Sequence, residues 1–213
     1  MARLPEVAVA LIRHPETIAN VDRRFVGRGE SPLTELGRAQ MVSIAMMMEV
    51  WSPGAVLTSP RERALVVAKR ISACGTPLRV LEELAEIDFG RAEGLTWAEM
   101  SVLGMQVRYP STVPAGQRTA DALGGPTAGP VVPGGESWEA FAERVAVAAA
   151  AVEEAGGRVA VVTHGGVMRA LLTHWLALPP EAAWRFAIPS AAVATLTIRD
   201  GSGTLESLLP PAS

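Results

Sequence analysis

Five short runs of apolar and β-branched residues punctuate the chain, at 7–12, 55–58, 78–81, 159–163 and 192–198. Their length and composition predict β-strands. The first, second and fourth are nearly continuous in apolar character, the pattern of strands buried on both faces of a largely parallel sheet. Between them the spacing changes to that of helices. Residues 34–50 form a long apolar-rich segment with Thr34 placed as its N-cap. Across 60–73, Ala64, Val67, Ala68 and Ile71 recur at helical spacing, and across 137–155 Trp138, Phe141, Val145, Ala148 and Val152 form one stripe. A further helix, 165–176, follows the fourth strand directly. Strands alternating with helices predict an α/β fold of three layers, a mostly parallel central sheet flanked by helices. The last strand, near the C-terminus, is expected to run antiparallel.

Residues 105–135 break this rhythm. They carry Pro110, Pro114, Gly124, Gly125, Pro126, Gly129, Pro130, Pro133 and Gly134 without a sustained period. A loop this long in a compact domain is usually functional or disordered, and core-like patterning resumes at Ser137. We therefore expect one domain over 1–213, with 105–135 an excursion over the active site. Hydrophobic residues at 49% and charged residues at 19% fit a globular chain. No apolar run approaches the roughly 18 residues of a membrane span, and the N-terminus lacks a signal peptide's apolar core. A single cysteine, Cys74, suits a reducing compartment. A cytoplasmic protein that binds no membrane is expected. A net charge of −3 without blocks of like charge argues against a nucleic-acid partner. Lys69 is the only lysine beside 18 arginines, so any anion site must be built from arginine.

Three predicted strand ends carry candidate chemistry. Arg13 and His14 close the first strand, where ligands bind in open α/β sheets. A guanidinium there needs an anionic partner, and its planar fork matches phosphate oxygens. His164 closes the fourth strand and is followed by Gly165-Gly166, a turn whose backbone can approach a ligand ahead of a helix N-terminus. After the second strand, Ser59-Pro60-Arg61-Glu62-Arg63 leads into a helix; one of the two arginines is expected to be solvated. Glu86 lies among apolar neighbours, the setting of a general acid, with Glu82, Glu83 and Asp88 as rivals.

In order along the chain, these blocks resemble the histidine phosphatase superfamily, the phosphoglycerate mutase-like phosphatases. The arginine–histidine signature matches Arg13-His14-Pro15-Glu16-Thr17 and runs to Asn20. Arg24-Phe25-Val26-Gly27 with Ser31-Pro32-Leu33-Thr34 is similar to the next block. Ser59 to Ala64 resembles the block of the second arginine, assigning it to Arg63. Leu84 to Gly90 resembles that of the proton donor, selecting Glu86. Pro133-Gly134-Gly135-Glu136-Ser137 and Thr163-His164-Gly165-Gly166-Val167 complete the set.

The resemblance implies a metal-independent phosphomonoesterase with no cofactor, acting on a small phosphorylated metabolite. His14 would become a phosphohistidine. Arg13, Arg63, Asn20 and His164 would bind phosphate oxygens, and Glu86 would move the proton. Phe25, Val26, Gly27 and Gly165 are carried over as substrate-binding positions, and a homodimer is carried as the assembly. Three departures stand out: Pro15 in place of the usual glycine, Glu30 for aspartate, and Ala92 for tryptophan. Chain length and Gly165-Gly166-Val167, where mutases of the superfamily tend to have Gly-Asn-Ser, favour a phosphatase over a cofactor-dependent phosphoglycerate mutase. A catalytically silent phosphate-binding member is the other alternative. Phe25, Trp97, Met105 and Tyr109 are candidates for an apolar leaving-group pocket. His174, Cys74 and Met46–Met48 are read as structural, and Glu136 as a secondary site candidate.

Overall fold

The computed structural model describes residues 6–103 and 133–210. One mixed sheet is built from β1 (Val7–Arg13), β2 (Ala55–Thr58), β3 (Leu78–Val80), β4 (Gly157–Thr163), β5 (Val193–Arg199) and β6 (Ser202–Leu209). Their spatial order is β3-β2-β4-β1-β5-β6. The ladders β1–β4, β4–β2 and β2–β3 are parallel, whereas β5 is antiparallel to both β1 and β6. The helices are α1 (Ile18–Val21), α2 (Glu35–Trp51), α3 (Glu62–Ile71), α4 (Trp97–Val102), α5 (Trp138–Ala155) and α6 (Gly165–Trp175).

The apolar runs follow from a sheet covered on both faces. Successive strand residues point to opposite sides. Val9, Leu11, Val159 and Val161 therefore join one core with Phe141 and Val145 of α5 and Leu171 of α6. Their neighbours Ala10, Ile12, Ala160 and Val162 join a second core with Ile44 and Met48 of α2 and Ala64 and Val67 of α3. Each buried aliphatic side chain contributes roughly 1.5–3 kcal/mol, which makes the two cores the main support of the three layers. Of the methionine run only Met48 is buried; Met46 is largely exposed.

Strand β6 was not expected from the pattern. Its residues alternate between exposed and half-buried because it is an edge strand with one face in water. Asp200 and Gly201, with φ of 49° and 74°, make the tight turn that pairs it with β5. The short helices α1 and α4 also escape periodicity, and each starts with a capping box, at Thr17 and Thr96. Most of the expected excursion, 105–135, lies outside the described residues.

Thr34 caps α2 as expected, its Oγ1 accepting from Gly37 N–H at 2.9 Å and donating to Glu16 Oε1 at 2.8 Å. This contact ties α2 to the segment that follows β1. Gly37 is required by proximity, since a Cβ there would lie 2.0 Å from the Glu16 carbonyl oxygen. Gly37→Ala must displace either the helix start or the turn behind β1. We expect a loss of roughly 1–3 kcal/mol, read by urea denaturation; an unchanged midpoint would show that the turn yields freely.

Candidate active site

Strand register assembles the site. Arg13 pairs with Thr163 in the β1–β4 ladder, so His14 and His164 each stand one residue beyond it. The His14 N–H donates to the Thr163 carbonyl at 2.8 Å, and the two imidazoles meet edge to face with centroids 5.2 Å apart. His14 is buried, and its Nδ1 lies 2.8 Å from the Pro15 carbonyl oxygen. A carbonyl only accepts, so Nδ1 carries the hydrogen and Nε2 of the neutral ring keeps its lone pair. Burial, then the neighbouring Arg13 and Arg63 cations, hold the His14 pKa well below its ordinary 6.5. Pro15 lacks an amide, but the contact that orients His14 uses its carbonyl, which proline retains.

His164 is fully buried beneath the same cations, and its pKa is likewise held well below 6.5, first by burial and then by Arg63. Its Nε2 sits 2.7 Å from Ser59 Oγ, while Nδ1 has no protein partner. Ser59 is one residue past β2, and its Oγ also accepts from the Arg61 N–H at 3.2 Å. The serine hydrogen is therefore available to His164 Nε2, in the tautomer that leaves Nδ1–H as a buried donor.

The arginines are clamped by backbone. Arg13 Nη1 donates to the Ile188 carbonyl at 2.5 Å, and its Nε is a buried donor without a protein acceptor. Burial pushes this guanidinium down to about 10; Glu86 opposes the shift, and Arg169 and Arg63 add to it. It remains a cation at neutral pH. Gly165 lets Arg13 lie against the start of α6, where a Cβ would stand 3.4 Å from Arg13 Nε. Arg63, 3% exposed, donates to the carbonyls of Gly29 at 2.7 Å, Gly27 at 2.8 Å and Val26 at 3.2 Å. Val26 and Gly27 thus meet the site through oxygens that aim Arg63. Their loop is in turn held by Glu93, whose carboxylate accepts from the N–H groups of Gly27, Arg28, Gly29 and Phe89. Arg61 is half-buried and donates to Arg28 O at 2.9 Å, so neither arginine of the pair is simply solvated. Glu30, the replacement for aspartate, accepts from the Glu62 N–H at the start of α3. Ala92 is fully buried in the core.

Glu86 projects into a cavity of about 100 Å³ that Arg13, Phe89, Trp138, Arg169 and Trp184 also line. Its Oε1 accepts from Ile87 N–H and its Oε2 from Gly166 N–H, each at 3.0 Å. The rival carboxylates are otherwise placed: Glu82 is exposed and Asp88 accepts from Gly90 N–H at 2.7 Å. Larger hollows of about 370 and 310 Å³ lie away from these groups, one around Met46 and Cys74 and one around Glu153 and Asp200. Asn20 Oδ1 accepts from the Thr17 backbone N–H and hydroxyl, both at 3.0 Å. Phe25 packs edge-on against Phe89 and Trp97. Met105 and Tyr109 lie outside the described residues. His174 and Cys74 are exposed and remote from the cluster.

The cluster Arg13, His14, Arg63, Glu86 and His164 is therefore brought together, while Ser59, Trp138, Arg169 and Trp184 are neighbours that sequence reasoning missed. The wording of the second-arginine block contained Ser59, but nothing in a lone serine marks a histidine partner. The cluster also makes stability depend on pH. Unfolded histidine titrates near 6.5, whereas these two rings stay neutral well below that. As pH falls through about 6.5 the unfolded chain gains protons that the native chain does not, so stability is lost on the acid side. We expect each ring to contribute a slope of roughly 1 kcal/mol per pH unit. His14→Gln should flatten the fall in urea-derived stability between pH 7 and 5.5; a slope equal to that of the parent would show that His14 protonates in the folded state.

Residues 9–209 match the histidine phosphatase superfamily (branch 1). The adenosylcobalamin/α-ribazole phosphatase of Escherichia coli is 29% identical over 201 residues, covering 93% of each chain. A metal-independent phosphoserine phosphatase of Arabidopsis thaliana is 36% identical over 169 residues, covering 76% of this chain and 66% of that protein. The crystal structure of the α-ribazole phosphatase from Shigella flexneri superimposes with a TM-score of 0.78 at 25% identity, covering 94% of this chain and 95% of that one. On a family match that spans both histidines, both clamped arginines and all but the first two residues of the central sheet, this chain belongs to the histidine phosphatase superfamily.

Proposed function

We propose that the chain is a metal-independent phosphomonoesterase that cleaves a small phosphorylated metabolite through a phosphohistidine on His14. The observation that carries this reading is the Nδ1–H of His14 donated to the Pro15 carbonyl, which leaves Nε2 unprotonated in a pocket of fixed cations. Arg13 and Arg63 supply positive charge to a phosphate dianion, and rigid donors of this kind are usually the largest catalytic term. The buried Arg13 Nε and His164 Nδ1 are donors of the type a phosphoryl oxygen satisfies.

In the first step Nε2 of His14 attacks phosphorus, the P–O bond to the alcohol breaks, and Glu86 delivers a proton to the departing oxygen. In the second, ionised Glu86 takes a proton from water as that water attacks phosphorus. The P–N bond breaks, phosphate leaves and Nε2 regains its lone pair. The leaving group faces the cavity beside Glu86, where Phe89, Trp138 and Trp184 make part of the wall apolar. The names of the relatives offer α-ribazole phosphate and phosphoserine as substrates to try first.

Relatives provisionally named phosphoglycerate mutases are also similar to this chain. The mutase reading differs in where the phosphoryl group goes: back to the sugar acid rather than to water. Release of inorganic phosphate from 3-phosphoglycerate, compared with its conversion to the 2-isomer, separates the two.

His14→Ala should abolish hydrolysis of a generic aryl phosphate that survives chelator in the parent; full activity in that variant would sink the nucleophile assignment. Glu86→Gln should lower kcat/KM on alkyl phosphates by roughly 10²–10⁴-fold and on activated aryl phosphates far less. Equal losses on both would take the proton-donor role away from Glu86. Gly166→Ala should show the same contrast, because a Cβ there would lie 2.3 Å from Glu86 Oε1 and must displace the carboxylate. A screen of metabolite phosphomonoesters then identifies the substrate.

A further inference from the structure

Glu86 is carried by a segment with little regular structure of its own. Between β3 and Ala92 the backbone forms only two short 3₁₀ turns, Glu82–Leu84 and Gly90–Ala92. Carbonyl groups in such a segment have no ladder to satisfy them, and the aim of the carboxylate depends on whatever else holds the backbone. One side chain does most of this. Arg144, on α5, donates from Nη1 to the carbonyls of Glu83 at 2.9 Å and Ala85 at 2.8 Å, and from Nη2 to that of Glu86 at 3.5 Å. Its remaining hydrogens go to Glu136, with Nε to Oε1 at 2.8 Å and Nη2 to Oε2 at 2.7 Å. All five guanidinium hydrogens are thereby engaged. Glu136 Oε2 also accepts from the Asp88 N–H at 3.3 Å, so the ion pair grips the segment on both sides of Glu86. The pair is largely buried, with side-chain exposures of 17% and 13%, and the Phe141 ring lies 5.1 Å from the Arg144 guanidinium.

We propose that Arg144, paired with Glu136, is a positioning residue for the proton donor: it fixes the backbone of residues 83–86 and so sets the distance from Glu86 to the leaving oxygen. The inference rests on the reading of Glu86 as general acid. Neither partner lines the cavity beside Glu86, and neither contacts Arg13, His14, Arg63 or His164. Lysine cannot replace Arg144, because a point ammonium with three hydrogens cannot serve three carbonyls and a bidentate carboxylate together.

The test is a thermodynamic cycle in the full-length protein. Arg144→Lys and Arg144→Met are measured alone and combined with Glu86→Gln, on one alkyl phosphate and one activated aryl phosphate. A displacement near 1 Å can lower the rate about 10²-fold. The single variants should therefore lose roughly 10–100-fold in kcat/KM on the alkyl ester and little on the aryl ester. Inhibition by inorganic phosphate should be unchanged, since the anion clamp is separate. In the Glu86→Gln background the Arg144 change should add at most about twofold, as expected for two residues acting through one function. Equal loss on both esters, weakened phosphate inhibition, or full additivity with Glu86→Gln would overturn the inference and assign Arg144 to the fold or to the clamp. If Glu86→Gln alone shows no leaving-group dependence, the failure belongs to the role of Glu86. Glu136→Gln keeps the shape of the pair and removes its charge, so it serves if the Arg144 variants do not fold. It should show a smaller loss with the same contrast between esters, and a loss equal on both would count against the proposal.

Discussion

The parallel register of β1 against β4, and of β4 against β2, is the constraint on which the rest of the site depends. Ile12 pairs with Val162 and Val162 with Thr58, so three strands end within one residue of one another. The residues that follow, His14, His164 and Ser59, have no freedom to choose a different neighbour. A slip of one residue in either ladder would exchange the two faces of a strand and bury the wrong side chains in both cores. The two cores therefore enforce the register, and the register places the histidines. Catalytic geometry here is a consequence of apolar packing several residues away from any charged group.

That packing also decides protonation. The strand ends are dry, and three arginines lie close enough to influence one another: Arg169 and Arg63 both depress Arg13. A histidine in such surroundings is driven neutral, which is the state a nucleophile requires. The Glu86 carboxylate opposes that loss of charge at both Arg13 and Arg63, while backbone carbonyls that accept from the arginines hold them in place. Val26, Gly27 and Gly29 do this for Arg63, and Ile188 does it for Arg13. Carbonyl dipoles stabilise the cation without neutralising it, so the positive charge remains available to an anion. Glu30, at 3.9 Å from Arg63 and half exposed, approaches it only loosely.

What could be read from sequence follows the same physics. Strands β1, β2 and β4 are legible because burial on both faces leaves an uninterrupted apolar run, and Thr34 because capping is local chemistry. Edge strand β6 is not legible by that criterion, since water on one face permits Ser202, Thr204 and Glu206; only Asp200-Gly201 signalled the hairpin. His14 and His164 stand out because each closes a strand beside unusual neighbours, whereas Arg63 over Arg61, and Glu86 over Glu82, Glu83 and Asp88, are selected only by the resemblance of their blocks to the family. Arg144 was not, because an arginine directly after Glu143, on a helix that also carries Glu139 and beside an apolar stripe, reads as a solvated face. Its function lies in contacts to residues about sixty positions away, which no local pattern encodes. Ser59 was missed for a similar reason, its partner being brought to it only by the β2–β4 ladder.

The start of α6 joins these arguments. His164 is its N-cap residue, Gly165 accommodates Arg13, and Gly166 accommodates Glu86 and donates to it. Three groups of the candidate site thus converge on a single helical turn, two of them over glycines. A Cβ at 165 would press on Arg169 Nη1, 3.1 Å away, and touch Arg13 at ordinary contact distance, whereas one at 166 would push back the carboxylate. The glycines are retained there by close approach and not by backbone strain, for neither has a positive φ. At this helix N-terminus the Gly166 amide donates to the Glu86 carboxylate. The same turn that holds the carboxylate also brings it to the cavity that Arg13 lines, where the leaving oxygen would lie under the proposed reaction.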